Sequence, residues 1–130
     1  MKEPIWIEKE DCLAFHSELL AMFGGLEGLR DEGMLDSALN RPLHLFNYGD
    51  DPDHFELAAA YACGLVKNHP FLDGNKRSGF MAAALFLEVN GCRFKAPEEE
   101  AVLMTRGLAA GEVEEAAYAA WLSDSSAPGE

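Results

Sequence analysis

The sequence predicts an all-α domain, a single compact bundle of about six helices, and three observations carry that expectation. Apolar residues recur at helical spacing in several separate stretches. Each stretch is closed by Gly or Pro, at Gly24-Gly25, Pro42, Pro70, Asn90-Gly91 and Gly111. No alternating strand pattern runs for more than a few residues. A chain of 130 residues is long enough for one domain with a real core. That domain is expected over residues 1–123, with a disordered tail over 124–130.

Ile5-Trp6-Ile7 is a short extended lead-in. Glu8 to Phe23 carries Cys12, Phe15, His16, Leu19, Leu20, Met22 and Phe23, a broad helical face that Gly24-Gly25 ends. Asp31 looks like an N-cap for a short helix whose apolar face is Met34, Leu35, Ala38 and Leu39, and Pro42 is expected to terminate it. Leu43 to Asp53 then reads as a loop, with a turn at Tyr48-Gly49-Asp50-Asp51-Pro52, and is a candidate cover for a site. Glu56 to Asn68 is an Ala-rich helix that neighbours can approach closely. Lys76 to Val89 contains Phe80 to Leu87, apolar all round, and is expected to be the core helix. After an extended Cys92-Arg93-Phe94-Lys95, Pro97 and three glutamates open a helix that Gly111 closes. Glu112 to Leu122 reads as the last helix.

The formal net charge is −13, which argues against nonspecific binding to nucleic acid or to an anionic membrane. Three cysteines without CxxC spacing suit a reducing cytosol better than a disulfide framework or a zinc site. The start of the chain does not resemble a signal peptide, and the apolar run Phe80 to Leu87 is too short to span a bilayer. A cytoplasmic location is therefore expected.

Between the Ala-rich helix and the apolar one lies His69-Pro70-Phe71-Leu72-Asp73-Gly74-Asn75-Lys76-Arg77. Pro70 disfavours helical geometry at His69, so a turn is expected that carries a base, a carboxylate, a glycine, an amide and two cations. A helix start with Gly before it and Lys76 and Arg77 on it is a natural phosphate site, and Arg77 adds a fork of donors. His69, kept neutral by the neighbouring positive charge, is the candidate proton acceptor. Asp73 is the candidate Mg²⁺ ligand, since Mg²⁺ is commonly held by one or two carboxylates plus substrate phosphates. Asn75 could cap the helix or reach a phosphate oxygen. Phe71 reads as an anchor into the core. The Walker A order is absent, because Lys76 precedes Gly79 instead of following it. His16, His44 and His54 have no comparable setting and receive no role.

This stretch resembles the Fic/Doc superfamily, whose signature is His-Pro-Phe, any residue, Asp or Glu, Gly, Asn, Gly or Lys, Arg. Phe23 to Asp31 and Ala84 to Gly91 also resemble the Doc branch, and the likeness runs from about Ile7 to Trp121. The resemblance implies that His69 takes the proton of a target hydroxyl and that Asp73 holds Mg²⁺. It implies that Gly74, Asn75 and Lys76 form the anion cradle for ATP, with Arg77 on a phosphate. Fic enzymes proper transfer AMP and carry a further arginine where this chain has Phe80. Doc toxins lack it, have Lys at the position of Lys76, and transfer a terminal phosphate to a threonine of elongation factor Tu. They are restrained by an antitoxin whose C-terminal segment docks in a groove. Lys67 departs from the arginine associated with that neighbourhood in Doc. A Doc-like kinase is thus the expected activity; AMP transfer from the same site and a non-catalytic anion-binding module are the alternatives.

Overall fold

Ten consecutive residues, Leu57 to Val66, are buried, and the chain is arranged around the helix that carries them. The structure, a computed structural model, describes residues 2–128. Its elements are α1 (Lys9–Phe23), α2 (Glu32–Tyr48), α3 (His54–Asn68), α4 (Asn75–Val89), β1 (Cys92–Phe94), α5 (Glu98–Ala110), α6 (Glu115–Asp124) and β2 (Ser126–Pro128). The fold is all-α, six helices with one two-stranded antiparallel pair, β1 with β2.

The core helix is α3, not α4 as the apolar run suggested. Phe80, Met81, Ala84 and Leu85 of α4 are only partly buried. Small side chains decide this, because Ala and Gly on α3 let α2, α4 and α6 pack against it together. A Cβ on Gly64 would stand 3.0 Å from the Cα of Ala38, and one on Gly79 would stand 2.7 Å from Cγ1 of Val66 and 3.1 Å from the Ala62 carbonyl oxygen. Replacing Gly79 by Val is expected to lower stability by about 1–3 kcal/mol, read as a lower urea midpoint. An unchanged midpoint would mean that α3 and α4 separate freely.

Asp53 and Glu56 form a reciprocal capping box at the start of α3. The Tyr61 hydroxyl pins the lead-in to this helix, accepting from Ile7 N at 2.9 Å and donating to Ile7 O at 3.2 Å. Burial pushes the Cys12 thiol up to about 12 and raises that of Cys63, so both stay protonated at neutral pH.

Pro42 does not end its helix. Asp31 caps α2 as expected, accepting from Met34 N, but α2 continues to Tyr48 with Pro42 buried inside it. Proline cannot donate to the carbonyl four residues back, which here is Ala38. That carbonyl meets Gly64 of α3, where a Cβ would lie 3.1 Å away. Burial of Leu35, Ala38, Leu39 and Pro42 in the packing of α2 on α3 holds the helix through the missing bond. The expected loop over Leu43 to Asp53 shrinks to the residues after Tyr48, and none of the segment borders the site described below. Phe46 instead packs edge-on against Trp6, with ring centroids 5.5 Å apart.

The tail is also corrected. α6 starts at Glu115, after a turn in which Glu112 and Val113 donate to Gly107 O, and reaches Asp124. Ser126 to Pro128 then pairs with Cys92 to Phe94. The exposed edge of β1 offers backbone groups that need partners, and the chain end supplies them. Residues 129–130 of the expected disordered tail lie outside the described residues.

Candidate active site

The site begins where α3 is stopped. His69 is its C-cap, in the left-handed region at φ 48°, ψ 56°, a conformation that costs a non-glycine residue on the order of 1 kcal/mol. The connector between α1 and α2 holds it there. Arg30 donates from Nε to the His69 carbonyl at 2.6 Å and from Nη2 to the Asn68 carbonyl at 2.8 Å. Its cation therefore sits at the negative end of α3. The main-chain N–H groups of Arg30 and Asp31 both donate to Pro70 O, and Leu72 N donates to Gly28 O. Leu29 and Phe71 form an antiparallel bridge. The connector is thus laid along the histidine turn as a short second strand.

The turn is held from below by Phe71 and Asn75. Phe71 is 1% exposed, and its ring stacks on that of His16, with centroids 3.6 Å apart and planes 9° from parallel. His16, itself buried, donates from Nε2 to the Asp73 carbonyl at 2.8 Å. Asn75 does not cap the helix, because Gly74, at φ 80°, is the N-cap. The Asn75 amide instead clasps the backbone of Phe71, accepting from its N–H and donating to its carbonyl, both at 3.0 Å. This side chain is committed to the turn, and what Asn75 offers an anion is its main-chain N–H.

The turn opens into a cleft of about 710 Å³. His69, Asp73, Gly74, Asn75, Lys76 and Arg77, the residues expected from the sequence, all border it. Phe23 of α1, Phe80 of α4 and Glu98, Val102, Thr105 and Arg106 of α5 are among the residues of the remaining walls. The N–H groups of the first turn of α4 have no intrahelical partner and, with Lys76 and Arg77 exposed beside them, make a positive cradle for an anion. The Arg77 guanidinium lies 4.4 Å from the centre of the Phe23 ring.

The Asp73 carboxylate is aimed by two main-chain donors, Gly74 N at 3.0 Å and Leu26 N at 3.3 Å. It is exposed, and its remaining lone pairs can take a divalent cation. A single oriented carboxylate beside an anion cradle fits Mg²⁺ held jointly with phosphates, and a cleft of this size fits a nucleoside triphosphate.

His16, Phe23, Arg30 and Arg106 receive no role in the site from the sequence. His16 had a usable signal, a polar ring on the apolar face of a helix. The other three act across long chain separations and leave no local pattern.

An all-α domain thus brings a histidine, a carboxylate and a cationic helix start to one cleft, an arrangement able to receive an anion. A family model agrees: the chain belongs to the Fic/DOC family, whose model matches residues 6–87. The chain is 34% identical over 108 residues, 82% of its length and 84% of the relative's, to the "Protein kinase doc" of Escherichia phage P1. It is 40% identical over 93 residues, 70% of its length and 68% of the relative's, to the "Toxin Doc" of Mycolicibacterium smegmatis.

Proposed function

We propose that the protein is a Doc-like toxin that transfers the terminal phosphate of ATP to a hydroxyl side chain, threonine, of a translation factor such as elongation factor Tu. The two relatives, one a protein kinase and one a toxin by name, support the toxin and kinase parts of this reading. One observation of this chain carries the choice of phosphorus. One turn into α4 from the cradle stands Phe80, packed against Phe94 and Trp121 at centroid distances of 5.8 and 6.3 Å. An aromatic ring there cannot hold the outer phosphates deep in the site. The cations of the cradle, Lys76 and Arg77, instead favour the terminal phosphate beside His69.

Phosphoryl transfer needs little of the protein beyond positioning and charge neutralisation. His69 accepts the proton of the hydroxyl as its oxygen bonds to the terminal phosphorus. The bond from that phosphorus to the bridging oxygen breaks, leaving a phosphoester and a nucleoside diphosphate. Arg77, Lys76 and the N–H groups of the first turn of α4 stabilise the charge of the group in transit. Asp73 would hold Mg²⁺, which neutralises phosphate charge when bound.

We place the action in the cytoplasm, where such a target and nucleotide meet; among the described residues no helix is long and apolar enough to cross a membrane. The partner is an antitoxin whose C-terminal segment docks across the cleft, where Phe23, Leu72 and Val102 leave apolar surface exposed.

Incubation with elongation factor Tu and ATP labelled at either the α or the γ position tests the reading. Label is expected on the target from the γ position alone. Label retained only from the α position would replace it with AMP transfer.

A further inference from the structure

Phe23 is the last residue of α1 and contributes little to the core, with 51% of its surface exposed. Gly24 and Gly25 follow at φ 82° and 129°, a backbone that turns the chain away immediately after the ring. The ring borders the cleft, and the Arg77 guanidinium lies over it at 4.4 Å. Among the described residues Arg77 makes no ion pair with a carboxylate.

We propose that Phe23 is the positioning residue for Arg77, a π platform that holds the guanidinium at the cradle while leaving its charge and its N–H donors for an anion. A carboxylate partner would orient the arginine equally well, but it would occupy the same donors and oppose the charge of a phosphate. An aromatic face attracts the cation through its quadrupole and takes none of the N–H groups. This accounts for a large apolar side chain left half in water at the end of α1. The inference rests on the reading of the cleft as a polyphosphate site.

Titration calorimetry of the full chain with ATP and with inorganic tripolyphosphate tests it, using Phe23→Leu, Phe23→Tyr, Arg77→Ala and the Phe23→Leu/Arg77→Ala double variant. Leucine keeps the apolar bulk and removes the π face. Phe23→Leu is expected to weaken both ligands by roughly three- to thirtyfold, Phe23→Tyr to bind as the parent does, and Phe23→Leu to have no further effect once Arg77 is alanine. The upfield ring-current shift of the Arg77 Hδ protons should vanish in Phe23→Leu and persist in Phe23→Tyr, whatever the ligand. Parental affinity in Phe23→Leu, or an equal loss with Arg77 already removed, overturns the proposal and leaves the polyphosphate reading standing. A parent chain that binds neither ligand overturns both.

Discussion

Replacing His69 by alanine is expected to lower phosphotransfer by about 10²–10⁴-fold and to leave the melting temperature essentially unchanged. The imidazole is exposed at the end of α3, and the hydrogen bonds that fix this residue use its carbonyl, which accepts from Arg30. Alanine keeps that carbonyl and loses only the imidazole. His69→Gly sharpens the separation. Glycine adopts φ 48° without the penalty a side chain incurs, so this variant should be as stable as the parent or more so, and equally inactive. Phosphorylation of the target, growth arrest on expression and thermal melting should be measured on the same preparations. Full-strength arrest by the alanine variant would remove His69 from the chemistry.

The second large effect is on stability. Asn75→Ala deletes both partners of the Phe71 backbone, a donor and an acceptor bonded at 3.0 Å in a buried position. Each group so orphaned costs about 1–3 kcal/mol, giving roughly 2–6 kcal/mol for the pair. That is a large share of the roughly 5–15 kcal/mol that holds a domain folded. The urea midpoint should fall well below that of the parent, and the Phe71 amide should exchange with solvent far faster. Activity should fall too, because the turn that carries His69 and Asp73 loses its clasp. A parental midpoint with a still-protected Phe71 amide would show that Asn75 does not hold the turn.

The contrast between these two residues marks how far the sequence could be read. His69, Asp73, Lys76 and Arg77 are legible because one turn between two helices, stopped by Pro70 and restarted after Gly74, puts them together locally. Asn75 was legible as a residue of that turn but not in its task, since cap, phosphate ligand and backbone clasp all suit an amide at a helix start. Arg30 and His16 were not legible: they meet the turn across 39 and 57 positions, and no periodicity encodes such a meeting. The α5 wall, with Arg106, is closed off from sequence reasoning for the same reason. Pro42 misleads for a different one. Its local effect on a helix is real, but burial of Leu35, Ala38, Leu39 and Pro42 where α2 packs on α3 outweighs it. At the chain end, pairing with β1 overrides the polar composition that predicted fraying.

The connector that lies along the histidine turn also sets an order of events during synthesis. Arg30 leaves the ribosome 39 residues ahead of His69, an interval of about 2–8 s at bacterial or eukaryotic elongation rates of roughly 5–20 residues per second. His16 is earlier still. The frame that bends His69 into its left-handed conformation is therefore already outside when the histidine turn emerges. Nor is the turn complete alone, because several of its hydrogen bonds end on main-chain groups of Gly28, Arg30 and Asp31, far back along the chain. The histidine turn is thus complete only once the connector docks against it, and not when the motif is translated.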